Sequence, residues 1–127
     1  MIKKNIVIFL IILLASVLRL IALDRYPAGL NADEASIGYN AYSLIQTGKD
    51  EHGASWPLVF RSFDDYKPGV YFYLVLPFVK FLGLNVLAVR FPSALLGIAS
   101  VYFIYLIVKK IFPNKKYLPE LAALMLA

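Results

Sequence analysis

An apolar run from Asn5 to Leu23, broken only by Ser16 and Arg19 beyond its first residue, limits what this chain can become. At about 1.5 Å per residue, a helix of this length crosses a hydrocarbon core of about 30 Å. The chain is 61% hydrophobic and its mean hydropathy is +0.71, which also points to a membrane protein. A cleaved signal peptide would use the same parts: Lys3 and Lys4 as its charged start, Ile6 to Leu14 as its core, and Ala15-Ser16 near a cut. The run continues through Leu20 to Leu23, however, and that suits an uncleaved anchor better. Lys3 and Lys4 place the N-terminus in the cytoplasm, so Leu23 is expected to emerge on the outer face. Arg19 lies near that face and can snorkel outward as an interface anchor.

A second good span follows from Val89 to Ile111, with Arg90 and Pro92 at its start and Lys109-Lys110 at its end. Between the two, Val70 to Leu82 is apolar but short; as a helix it would reach about 20 Å, and Pro77 and Lys80 interrupt it. Charge decides its placement. If this piece crossed the bilayer, Lys109, Lys110, Lys115 and Lys116 would lie outside; if it only dips into the outer leaflet, they fall in the cytoplasm, as the positive-inside tendency prefers. The expected architecture is therefore an all-α membrane protein. Its first span covers residues 5–23, an extracytoplasmic loop 24–89 carries juxtamembrane helices near 33–47 and 68–82, a second span covers 90–111, and a third begins at 117–127. A span needs roughly 20 residues, so Glu120 to Ala127 reads as a helix barely begun and the chain as the N-terminal portion of a multi-pass plasma-membrane protein.

The outer loop carries most of the chemistry. Seven of the eight acidic residues lie in it: Asp24, Asp33, Glu34, Asp50, Glu51, Asp64 and Asp65. After the turn Tyr26-Pro27-Ala28-Gly29, Asp33 to Thr47 has a helical stripe of Ile37, Ala41, Leu44 and Ile45, and Gly48 supplies a stop. Adjacent carboxylates at a membrane exit are either solvated punctuation or a working site. There is no cysteine, hence no disulfide, thiolate ligand or thiol nucleophile. The net charge of +5 sits at the ends of apolar runs and no nucleic-acid signature accompanies it, so nucleic acid is not an expected partner.

The order of features resembles the N-terminal module of C-type glycosyltransferases of family 39, relatives of protein O-mannosyltransferases and of the lipid A aminoarabinose transferase. It consists of a first span, the outer Asp33-Glu34 opening a helix, Lys67-Pro68-Gly69 before a short apolar helix, and Ala88-Val89-Arg90-Phe91-Pro92-Ser93-Ala94 opening the next span. The resemblance implies a membrane enzyme that moves a sugar from a polyprenyl-phosphate carrier to a glycan, lipid or protein acceptor on the outer face. It implies Asp33 as base or acceptor-positioning carboxylate, with Glu34 as its neighbour, and Lys67 at the carrier phosphate. In the aminoarabinose transferases the residue before that lysine is an acid that helps hold a metal; here it is Tyr66, which leaves only Asp64 and Asp65 to substitute. No metal ligand is assigned, and dependence on a divalent metal stays open. Pro68-Gly69 in place of the commoner Pro-Pro is expected to be a small change.

Such a transfer needs a base for the acceptor hydroxyl, worth typically 10²–10⁴-fold, and cationic charge where the phosphate departs. Asp33 suits the first role and Lys67 the second, with Arg90, Arg61 and Tyr66 as further substrate contacts. Lys67 at the start of an interfacial helix would sit at headgroup depth, with that helix's first amides facing the same anion. Plainer readings compete. Asp33 suits an N-cap, Glu34 a first-turn acid, Lys67 a snorkelling lysine, Arg90 an anchor at the span's mouth, and His52 a solvated loop residue. Tyr39, Tyr42, Tyr71 and Tyr73 suit an interfacial aromatic belt, with sugar stacking on one of them as the alternative. The competing function is a non-catalytic membrane module that binds a lipid carrier or a partner subunit.

Overall fold

The structure, a computed structural model, describes residues 2–62 and 65–127, with side chains from residue 6 onward. It is mostly helical. Its elements are α1 (Ile2–Leu20), α2 (Ala32–Thr47), β1 (Val59–Ser62), β2 (Asp65–Pro68), α3 (Val70–Leu82), α4 (Val86–Ile111) and α5 (Leu118–Leu126). They fall into two compact units: α1 with residues 93–127, and Ala22–Pro92.

In the first unit, Ile8, Ile11 and Ala15 of α1 pack with Val101 and Tyr105 of α4 and Ala123 of α5. The spacing Ile8, Ile11, Ala15 is one helical stripe. Around the rest of α1 large apolar side chains face outward, Phe9, Leu10 and Leu18 among them. A helix apolar on every face belongs in lipid or in a larger core. Among the described residues, α4 is the one helix long and apolar enough to cross a membrane; residues 6–20 of α1 and all of α3 form shorter apolar helices. The expected first span of 5–23 overruns its helix, which ends at Leu20; Ala22 then takes a positive φ of 54°.

The second unit is built on α2 and α3. Ala41, Val75, Val79, Ala88 and Val89 form one buried cluster, and Leu44, Phe60 and Phe72 another. Phe60 and Phe72 stack face to face at 4.0 Å between ring centres. Asn85 caps the start of α4, accepting from the Ala88 amide at 2.9 Å.

Three local expectations change. The loop expected at 24–89, with helices as its only elements, also holds an antiparallel β1–β2 hairpin, in which Val59 faces Pro68 and Ser62 faces Asp65. The unit is thus not all-α, and Lys67 stands on a strand, with α3 starting only at Val70. The N-cap of α2 is Asn31 rather than Asp33. The Asn31 side chain accepts from the Glu34 amide at 2.8 Å while Glu34 returns a carboxylate to the Asn31 amide at 3.1 Å. Nor is Gly69 a small change from proline. Its amide donates to the Leu58 carbonyl at 2.9 Å, and a Cβ there would lie 2.7 Å from that same oxygen. Gly48 does end α2, in the left-handed conformation (φ 70°), donating to the Leu44 carbonyl.

Candidate functional site

The N-terminus of α2 places Asp33 and Glu34 on different faces, and their surroundings separate them. Asp33 is 70% exposed and its Oδ1 accepts from the Lys67 ammonium, 22% exposed, on β2. The strand and the helix start thus bring together the two residues to which sequence reasoning gave the base and phosphate roles.

Glu34 and Arg90 form a different kind of pair. The Arg90 side chain is 7% exposed, and a guanidinium has five N–H donors. Nε reaches Glu34 Oε1 at 2.8 Å and Nη2 reaches Glu34 Oε2 at 3.0 Å. The remaining donors go to the Leu23, Pro27 and Gly29 carbonyls. Every donor is committed, so Arg90 has none left for a substrate phosphate. Here the expectation of Arg90 as a substrate contact gives way to a buried clamp, one that ties the 22–30 turn to the mouth of α4. Glu34 is likewise occupied, by its cap and by the clamp, which departs from the catalytic role expected beside Asp33. The hydrogen bonds from Arg90, aided by the Asn31 amide and opposed by partial burial, hold the Glu34 carboxyl below the usual carboxylate range.

Arg61 and Tyr66 face each other across the hairpin, and both are exposed. Tyr66 is exposed beside Lys67, and its amide donates to the Asp65 carboxylate at 2.8 Å. Arg61 instead borders an open cleft of about 750 Å³. Ala32, Ala35, Ser36 and Tyr39 of α2 line one side, Arg61 and Ser62 of β1 another, and Glu51 with His52 a third. His52 is exposed, with Nε2 3.2 Å from the Arg61 carbonyl oxygen and 4.0 Å from Glu51 Oε1.

Sequence reasoning missed the residue that shapes this cleft. Asn40, buried, receives the Glu51 amide on Oδ1 at 2.9 Å and donates from Nδ2 to Glu51 Oε1 at 2.9 Å. Its signal was an amide side chain in mid-helix between apolar positions. The buried Asp50 carboxylate accepts from the His52 and Ala54 amides and closes the turn.

The tyrosines divide. Tyr71 and Tyr73 donate to the Val89 and Pro57 carbonyls, each at 2.9 Å, while Tyr39 and Tyr42 are exposed. Among the described residues no cluster of three or more His, Asp or Glu side chains is arranged to hold a metal ion. Of the two acids considered as metal ligands, Asp65 is exposed on β2 and Asp64 lies outside the described residues. Comparison of the chain with known protein families, curated proteins and solved structures finds no match.

Proposed function

We propose that this chain forms the N-terminal part of an integral-membrane glycosyltransferase that moves a sugar from a polyprenyl-phosphate carrier to an acceptor on the outer face. In this reading α1 and α4 both cross the bilayer, the N-terminus is cytoplasmic, residues 24–89 are extracytoplasmic, and α3 lies in the outer leaflet. Lys109 and Lys110 at the end of α4 then fall on the cytoplasmic side, as the positive-inside tendency prefers.

One observation carries the reading: Asp33 and Lys67 form an accessible acid–base pair while the neighbouring Glu34 and Arg90 are locked into structure. In the transfer, the acceptor oxygen attacks the anomeric carbon and the bond from that carbon to the carrier's phosphate oxygen breaks. The acceptor proton passes to the Asp33 carboxylate, and the phosphate leaves with its bond electrons toward the Lys67 ammonium. A carboxylate so placed contributes typically 10²–10⁴-fold, and a fixed cation stabilises charge that develops on the leaving group.

The non-catalytic alternative draws on the same pair. Because Lys67 is already held by Asp33, an arriving lipid phosphate could simply displace the carboxylate and stay bound. Transfer of labelled sugar from carrier lipid, by the full-length protein in proteoliposomes, separates the two. The transferase turns over and its Asp33→Asn variant does not, whereas binding that depends on Lys67 without turnover in any preparation leaves only the binder.

A further inference from the structure

A groove of about 530 Å³ runs between the second half of α3 and the first turns of α4. Pro77, Phe78, Phe81 and Leu82 line one wall, and Leu87 with Phe91 the other. On each helix these positions repeat at four residues, the spacing that stacks side chains on one face. Phe78 and Phe91 meet between the helices with ring centres 5.7 Å apart. Every lining side chain is apolar. Phe81 is 83% exposed, and Leu82 and Leu84 beside it are exposed as well.

Apolar surface gathered in this way is costly in water and marks a place that something covers. Two neighbours say what covers it. The groove is continuous with α4, the described helix long and apolar enough to cross a membrane. At its edge stands Lys80, exposed, three residues beyond Pro77 and in no ion pair among the described residues. From Tyr66 to Pro119 the sequence holds no acidic residue, so nothing along α3 or α4 offsets that charge. A second copy related by a twofold axis would bring Lys80 toward its own image. A water-soluble partner would find no polar group in the lining to bond. A lipid with an acyl chain and a phosphate answers both the apolar wall and the cation.

We infer that this groove seats one glycerophospholipid of the surrounding membrane, an acyl chain lying against Phe78, Phe81, Leu87 and Phe91 and the phosphate against the Lys80 ammonium. The seat is distinct from the one proposed for the carrier phosphate. Lys67 precedes α3 and Lys80 lies in its last turn, with most of a helix of about 20 Å between them. A lipid held here fills the space between α3 and α4 and ties the 22–92 unit to headgroup depth. The inference rests on the membrane placement proposed above and not on sugar transfer.

The test uses the full-length protein in mild detergent, incubated with phosphatidylglycerol that carries a photoactivatable diazirine in one acyl chain. Cross-linked peptides are mapped by mass spectrometry, with unlabelled phosphatidylglycerol, diacylglycerol and polyprenyl phosphate as competitors. Cross-links are expected to concentrate in residues 77–91. The outward-facing Leu96 and Phe103 of α4 serve as the reference for unspecific apolar contact. Unlabelled phosphatidylglycerol should remove the 77–91 signal at lower concentration than polyprenyl phosphate does. Leu87→Trp, which fills the groove, should reduce capture there about tenfold and leave the reference unchanged. Lys80→Gln, an exposed substitution that keeps the test open if Leu87→Trp fails to fold, should weaken phosphatidylglycerol about fivefold and diacylglycerol not at all. Equal labelling of both regions overturns the seat, as does unchanged capture by Leu87→Trp or unchanged affinity in Lys80→Gln. Stronger competition by polyprenyl phosphate overturns it too, as does a dimer that Leu87→Trp dissolves in the absence of lipid capture. Lipid capture without any sugar transfer sustains the seat and counts against the transferase alone.

Discussion

Arg90 on α4 and Asp33 on α2 show how two charged residues of one compact unit come to sit in opposite surroundings, one buried and one exposed. A guanidinium with five donors and five acceptors is stable where it is buried; removing it strands the Glu34 carboxylate and three carbonyls. Arg90→Ala should therefore destabilise the fold by about 3–5 kcal/mol. Arg90→Lys should rescue little, because an ammonium cannot reproduce the fork; denaturant unfolding in detergent checks both. Asp33→Asn is expected to leave that stability unchanged while lowering sugar transfer by about 10²–10⁴-fold. The Glu34 carboxyl, held below its ordinary value chiefly by Arg90, also sets a pH dependence. Its stabilising contribution is complete above the unfolded-state value of about 4.3 and is lost as pH falls through the lower folded-state value. Unfolding midpoints measured from pH 6 downward should drop in that acidic window, and Glu34→Gln should flatten the curve. Part of this was legible beforehand. Asn31-Ala32-Asp33-Glu34 spells an N-cap with an acid three residues on, yet the more conspicuous Asp33 also suits a cap, two residues beyond the true one. That Arg90 would be consumed was not legible, because its carbonyl partners lie 61 to 67 residues away.

At the scale of elements, long periodic segments announced themselves and short ones did not. The expected helices near 33–47 and 68–82 match α2 and α3 to within two residues, and the expected 90–111 span lies inside α4. Each of these carries an apolar pattern several turns long, or a stop such as Gly48. The strands of the hairpin are four residues each, and Val-Phe-Arg-Ser beside Asp-Tyr-Lys-Pro shows no alternation that a sequence window can separate from loop. What holds the hairpin is tertiary: Phe60 stacks on Phe72, and the Gly69 amide closes on Leu58. Truncating Phe60 to alanine should cost about 3–5 kcal/mol. Gly69→Ala should cost about 1–3 kcal/mol, since a methyl group there meets the Leu58 backbone as well as the buried Phe60 ring. Both are measured by thermal or denaturant unfolding, and Gly69→Ala should also loosen Lys67 from Asp33, two residues upstream on β2.

For the whole molecule, the proposed function turns on the 22–92 unit lying on the outer side of a membrane. One described helix has the length and apolarity to cross; the outward-facing Phe9, Leu10 and Leu18 of α1 are what a second crossing would present to lipid. The absence of cysteine makes a direct measurement possible, since any introduced cysteine is the sole thiol in this chain. Single cysteines at positions 33, 67 and 110 of the full-length protein, in intact cells, are to be treated with a membrane-impermeant maleimide. Labelling at 33 and 67 but not at 110, until the cells are permeabilised, is the predicted result. Labelling at 110 from outside, with 33 and 67 protected, would contradict the proposed orientation and with it the outer-face transfer site.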